Sequence, residues 1–192
     1  MAKKKRVAAQ AETVSVVSFV LGVEQCALRI TDVHQVIRDT PITRVPNVNP
    51  HVEGVINLRG QVVPVVDLKN LLGLGVRTMG EQHRLLIVEQ GGRKVGFSVD
   101  SIKGVLQLDA ARIQPAPEVL LAKVAGRYVR GVVQQGDTIV VLLDLPELLA
   151  SQPGTRRARH WGQADRAIAH AAAALDAGED HGNGPPGGFL KP

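Results

Sequence analysis

Two stretches decide the fold of this chain: Gly54-Val-Ile-Asn-Leu-Arg-Gly-Gln-Val-Val-Pro-Val-Val-Asp-Leu-Lys-Asn-Leu-Leu72 and Gly131-Val-Val-Gln-Gln-Gly-Asp-Thr-Ile-Val-Val-Leu-Leu-Asp-Leu-Pro-Glu-Leu-Leu149. They align without a gap at an offset of 77 residues and are identical at seven of 19 positions. The identities are the opening Gly-Val, Val63 with Val140, the Asp-Leu pairs at 67–68 and 144–145, and the closing Leu-Leu. Each copy reads as a hairpin followed by a short helix. Val55–Leu58 and Val62–Val66 flank Arg59-Gly60-Gln61, and Val129–Gln134 and Thr138–Leu143 flank Gly136-Asp137. An aspartate at the head of a helix takes up backbone N–H groups that have no partner inside the helix, so Asp67 and Asp144 are expected to be caps. Glu147 follows Asp144 at capping-box spacing, and Pro146 is tolerated in a first turn.

Upstream, each copy carries the same prelude. At an offset of 69, Val17–Ile37 matches Leu86–Leu106, pairing Ala27 with Gly96, Ile30 with Val99, Val33 with Ile102 and Val36 with Val105. Two more hairpins are read there, Val14–Leu21 with Gln25–Ile30 around Gly22-Val23-Glu24, and Leu85–Glu89 with Lys94–Val99 around Gly91-Gly92. A short helix is expected from Asp32 to Ile37. An internal repeat of two copies is too short for a solenoid and suits two related barrels packed together, each of roughly 65–70 residues. Closure removes the strand edges that open sheets would expose. The fold class is therefore all-β, its core built from Val, Leu and Ile, since aromatics make up 3% of the chain.

The formal net charge of +5 is unevenly placed. From Thr13 to Ser151, fourteen Lys and Arg face thirteen Asp and Glu, whereas Lys3, Lys4, Lys5 and Arg6 crowd the first twelve residues. A nucleic-acid-binding core would carry its own basic face, and bases would need exposed aromatics to stack on. Phe19 and Phe97 fall in expected strands and Tyr128 directly precedes one, so no nucleic-acid partner is expected. The N-terminus has a basic region with no apolar segment after it, unlike a secretory signal, and no run of about 18 apolar residues occurs. A cytoplasmic protein without membrane insertion is expected. The expected organisation is a basic tail over 1–12, a folded domain over 13–151, and a C-terminal extension over 152–192. In that extension Ala164–Ala177 reads as an Ala-rich helix with Ile168, Ala172 and Leu175 on one stripe, and Gly178–Pro192 reads as disordered.

Catalytic chemistry finds no foothold. Cys26 lies mid-strand with no base near it in sequence and reads as core. None of the six histidines has a partner at metal-ligand spacing. Asp67 and Asp144 follow apolar strands as phosphoacceptors do, but hairpins, not alternating strands and helices, surround them. No phosphate-binding loop or nucleophile elbow is present. No enzyme activity, cofactor or metal is expected.

The segment Gly54–Leu68, with its Asn57-Leu58-Arg59-Gly60 motif, resembles the signature of the CheW family of chemotaxis coupling proteins. Val33-His-Gln-Val-Ile-Arg38, Thr43-Arg44-Val45-Pro46, Val52-Glu-Gly-Val55, Val95–Ile102 and Ile113–Pro117 fit the same family, so the resemblance spans roughly residues 13–151. It implies two SH3-like five-stranded β-barrel subdomains with a shared interlaced core, plus short helices. It also implies a scaffold that couples methyl-accepting chemoreceptors to the histidine kinase CheA. The partners would be the CheW-like regulatory domain of that kinase and the receptor's cytoplasmic tip, at membrane-bound receptor arrays. An adaptor of a pilus-type or other chemosensory pathway fits the same motifs.

The interface residues implied are Val33, Gln35 and Val36 on the expected helix, and Gly54, Asn57, Leu58, Arg59 and Gly60 at the second hairpin. Val33 or Val36 would be an apolar anchor, Arg59 a fork for a carboxylate or carbonyl, and Gly54 and Gly60 would allow tight turns or close approach of a partner backbone. Read without the resemblance, Arg59-Gly60 is a hairpin turn and Val33 and Val36 are core. Enteric members usually carry a glutamate where this chain has Gln35, a rim charge that tunes pairing.

Overall fold

The structure, a computed structural model, describes residues 12–38, 40–46, 49–75 and 83–151. Ten strands are found there: β1 (Thr13–Leu21), β2 (Glu24–Arg29), β3 (Val33–Arg38), β4 (Val52–Leu58), β5 (Gln61–Asp67), β6 (Arg84–Gln90), β7 (Arg93–Val99), β8 (Ser101–Asp109), β9 (Val129–Gln135) and β10 (Thr138–Leu143). Three short helices accompany them: α1 (Leu68–Leu71), α2 (Glu118–Leu121) and α3 (Leu145–Ala150). All four expected hairpins form, each on a two-residue turn. Both expected caps form as well. Asp67 Oδ1 accepts from the Asn70 N–H at 3.0 Å, and Asp144 Oδ1 from the Glu147 N–H at 3.2 Å.

The strands make two five-stranded sheets, the first in the order β8-β1-β2-β10-β9 and the second in the order β3-β6-β7-β5-β4. The spatial units are not the sequence repeats. Each hairpin that opens a repeat is inserted into the sheet completed by the other repeat, through the parallel pairs β2–β10 and β5–β7. Renumbering β1–β5 as β6–β10 turns one order into the other, so the pseudo-twofold relation seen in the sequence is carried by exchanged hairpins.

Exchange explains the apolar runs. Leu85, Leu86, Ile87 and Val88 are all fully buried because β6 is covered on both faces. Leu85 and Ile87 join Ile56, Val63 and Val65 in a small cluster inside the second sheet. Leu86 and Val88 point the other way, into a large core shared with Phe19, Leu28, Phe97, Tyr128 and Val141. The first sheet has its own small cluster of Val16, Ala27, Leu108, Val133, Val140 and Leu142.

Neither sheet is closed by a continuous ladder among the described residues. What spans the gap is one two-bond bridge per sheet. After β3 the chain brings Thr43 to Val55 on the far edge strand, each N–H donating to the other's carbonyl at 2.9 Å. After β8, Gln114 and Val132 do the same at 2.9 and 2.8 Å. This is why both repeats open on glycine. A Cβ on Gly54 would stand 2.2 Å from the Thr43 carbonyl oxygen, and one on Gly131 would stand 2.8 Å from that of Gln114.

One corner breaks the symmetry. Asp100 Oδ2 accepts from the Gly22 N–H at 2.5 Å and from Lys69 Nζ at 3.5 Å, tying the β1–β2 turn to α1 and hence the first sheet to the second. Thr31 stands at the matching position in the other repeat.

The expected helix from Asp32 to Ile37 is corrected. Only Ile30–Asp32 coils, as a 3-10 turn, and Val33–Arg38 is strand β3 paired with β6. Val33, Val36 and Ile37 have helical spacing, but they are β-branched, the free edge of β6 offers hydrogen bonds, and burial alternates strictly along the segment. The expected basic tail over 1–12, Glu12 apart, and the expected extension over 152–192 lie outside the described residues.

Candidate interaction site

The β4–β5 turn departs from ordinary backbone geometry. Arg59 has φ +53° and Gly60 φ +81°, so both central residues are left-handed. A two-residue hairpin turn of this kind matches the twist of its strands and favours Asn or Gly at both places. Glycine satisfies that demand at position 60. At position 59 an arginine does, at a cost of about 1 kcal/mol of backbone strain. Arg59 has the only positive φ of any non-glycine among the described residues. Asn57 holds the turn, its Oδ1 accepting from the Gly60 N–H at 2.8 Å. Leu58 is half-buried against the small cluster of the second sheet. The Arg59 side chain is exposed and makes no hydrogen bond or ion pair with another described residue. A guanidinium is thus displayed on a strained tip with its donors unspent.

The other expected residues fall on β3 and β4. Val33, Gln35 and Ile37 turn inward and are half-buried, and His34, Val36 and Arg38 turn outward. Val36 is 41% exposed and stands as the apolar residue on this edge strand, whereas Val33 packs against the large core. Gln35 is inward, so a glutamate in its place would be partly desolvated rather than lie on a rim. Gly54 is buried, and the backbone that approaches it is the chain's own, at Thr43. β3 and β4 are opposite edges of the second sheet. Ile37 and Leu58 pack on the same small cluster, which places the two edges on one structural unit.

Three neighbours were not legible as site residues. Lys94 Nζ donates to Gln61 Oε1 at 3.0 Å and sets a second cation beside the turn. Glu89 pairs with His34 Nδ1 at 3.3 Å on the β3–β6 edge. Ile30, 41% exposed, opens the 3-10 turn that leads into β3. Strand pairing sets Lys94 beside the β4–β5 turn and Glu89 beside β3, and no local signal announces either. Cys26 is buried, and desolvation together with the nearby Glu24 charge pushes its thiol up to about 12 from 9.0, which leaves it a neutral core residue. Among the described residues no group of three His, Cys, Asp or Glu could hold a metal ion, and no helix is long and apolar enough to cross a membrane.

A mostly β frame with buried cores, an edge strand that exposes Val36 and an arginine displayed on a turn has the form of a binding module. The chain belongs to the family described as CheW-like domain, whose model matches residues 15–152. It is 33% identical over 134 residues to the chemotaxis protein CheW of Klebsiella aerogenes, covering 70% of this chain and 80% of that one. It is 30% identical over 131 residues to the chemotaxis protein CheW of Bacillus subtilis, covering 68% and 83%. Among solved structures, the scaffolding protein TtCheW from Thermoanaerobacter tengcongensis matches with a TM-score of 0.64 at 36% identity, covering 70% of this chain and 86% of that one.

Proposed function

We propose that this protein is a non-catalytic scaffold that couples chemoreceptors to a histidine kinase in chemotaxis signalling, with the β4–β5 turn as its main contact. Its relatives named chemotaxis protein CheW and the scaffolding-protein structure support the coupling role. The observation that carries the site is Arg59, an arginine kept where the backbone asks for glycine, with its donors unspent. Strain is retained where function needs the side chain, and a guanidinium fork suits a carboxylate or carbonyl on a partner.

In this reading the partners are the CheW-like regulatory domain of the kinase CheA and the cytoplasmic tip of a methyl-accepting receptor, and the protein works in the cytoplasm against receptor arrays. Val36 supplies the exposed apolar anchor on β3, with Val33 and Gln35 shaping the strand beneath it. Leu58 buttresses the turn, and Asn57 and Gly60 fix its shape. The two curled sheets act as SH3-like barrels, a description supported by their topology and by the single bridge that spans each one.

Co-sedimentation with cognate kinase and receptor-containing membranes tests the proposal. Kinase recruitment should depend on the scaffold and fall when Arg59 is changed to Ala while the fold stays intact by circular dichroism. Undiminished recruitment without the scaffold sinks the coupling role. Undiminished recruitment with Arg59→Ala sinks the site.

A further inference from the structure

Each sheet carries a bulge near the start of one edge strand. On β4 the extra residue is Glu53, between the pairs Val52–Val66 and Gly54–Val65. On β9 it is Arg130, between the pairs Val129–Leu143 and Gly131–Leu142. Bulges re-aim side chains and gather at sheet edges and barrel rims. Glu53 and Arg130 are equivalent at the 77-residue offset, and Ser98 on β7 and Arg29 at the end of β2 are equivalent at the 69-residue offset. Ser98 stands opposite Leu85 and Arg29 opposite Val16, members of the two small clusters. Directly opposed residues share a face, so both lie on the inward face of their sheet.

The occupants of these equivalent places differ in charge. In the second sheet a donor meets an acceptor: Ser98 Oγ donates to Glu53 Oε1 at 2.5 Å and lies 3.3 Å from the Val66 carbonyl oxygen. In the first sheet both places hold arginine. Neither guanidinium makes a hydrogen bond or ion pair with another described residue. Arg29 Nε is buried without an acceptor among those residues. A buried donor left unsatisfied is destabilising, and two like charges at one strand end repel. Asp144 follows β10, which pairs with β2, but its carboxylate is spent on the Glu147 N–H as the cap of α3. The arginine pair therefore brings folding no polar partner, and it stands where the other sheet holds a carboxylate.

We infer that Arg29 and Arg130 form an oxyanion site at this end of the first sheet, and that its ligand is a phosphate group. An entering anion gives the Arg29 donors the acceptor they lack and does for this sheet what Glu53 does for the other. Two guanidinium groups match a dianion, whereas a single carboxylate leaves one positive charge uncompensated. The planar forks also suit the paired oxygens of phosphate. Arg130 is exposed, so it can meet a ligand from solvent, while Arg29 is half-buried beneath. The inference is independent of the coupling role, since neither arginine belongs to the β4–β5 turn or to β3.

Isothermal titration of the full chain with inorganic phosphate, at constant ionic strength, tests it. Saturable binding is expected, with acetate weaker by roughly tenfold or more. Arg29→Gln and Arg130→Gln should each weaken phosphate roughly tenfold or more. Lys103→Gln, which removes an exposed cation from β8 of the same sheet, should leave it unchanged. Arg130→Glu rebuilds the arrangement of the second sheet, with a carboxylate for Arg29. It should abolish phosphate binding and raise the melting temperature by about 2 °C, which also shows that the variant folds. O-phosphoserine binding tighter than inorganic phosphate would assign the site to a phosphate ester, and binding no tighter would assign it to free phosphate. Absence of saturable binding, equal weakening by Lys103→Gln, or undiminished binding by Arg130→Glu would overturn the inference.

Discussion

The β4–β5 and β9–β10 turns occupy equivalent places in the two sheets, at the 77-residue offset of the repeat. In the second of them a glycine, Gly136, takes the left-handed position with φ +60°, and Asp137 follows. In the first, Arg59 takes that position with φ +53°, and Asn57 braces the turn from below. The sheets share their topology, their inner clusters and their bridging device, so the frame does not require the arginine. The difference separates what folding demands from what is added to it. A scaffold with two near-equal halves presents a cation on one half and an ordinary turn on the other.

The comparison breaks most visibly at the two bridging glycines. Gly54→Ala drives a Cβ into the Thr43 carbonyl from a backbone at φ +153°, and a loss of about 4 kcal/mol is expected from the clash and strain together. Gly131→Ala meets its bridge at 2.8 Å without a left-handed backbone and should lose less, about 2 kcal/mol. Urea denaturation of the two variants measures both. Equal losses would mean that the two bridges are energetically alike and that the Gly54 backbone carries no extra strain.

The turns themselves come next. Arg59→Gly relieves strain but adds unfolded-state entropy, so stability should stay within about 1 kcal/mol. Kinase recruitment should drop by roughly tenfold or more, as for an interface hot spot. The reciprocal Gly136→Arg should cost about 1 kcal/mol in backbone strain and bring no gain in recruitment. A gain would show that any arginine on such a turn suffices. Asn57→Ala removes the brace and should cost about 1 kcal/mol, with recruitment reduced less than by loss of Arg59.

The smallest effect at ordinary pH concerns Cys26, whose counterpart at the 69-residue offset is Val95. Its thiol is held up to about 12 in the fold against 9.0 unfolded. The neutral form is favoured by the native state, so this contribution is complete below pH 9 and is lost as pH rises towards 12, by at most about 1.4 kcal/mol per pH unit. Cys26→Val should flatten that part of the alkaline stability curve. An unchanged curve would show that other groups govern alkaline unfolding.

Much of the frame was legible because it is local. Four turns with glycine at the required places, two aspartate caps and alternating or continuous Val, Leu and Ile runs are set by neighbours in sequence. The Asn57–Gly60 motif was legible for the same reason. β3 was misread because six residues with Val33, Val36 and Ile37 satisfy helical spacing and alternation equally well, and only the waiting edge of β6 decides between them. Gly54 suits either a tight turn or a partner's close approach in sequence, and nothing local reveals that Thr43 returns to fill the space. Lys94 and Glu89 carry no local signal, because strand pairing, not sequence, sets one beside the β4–β5 turn and the other beside β3.

By itself the sequence determined the two-copy repeat, the all-β character, the hairpins and their caps, for these follow from backbone preferences within a few residues and from an offset that can be read directly. Tertiary structure alone decided that the opening hairpins are exchanged between sheets and that one bridge rather than a ladder spans each sheet. Those outcomes depend on contacts between residues tens of positions apart, whose partners are chosen only when the two apolar faces of each sheet are buried together.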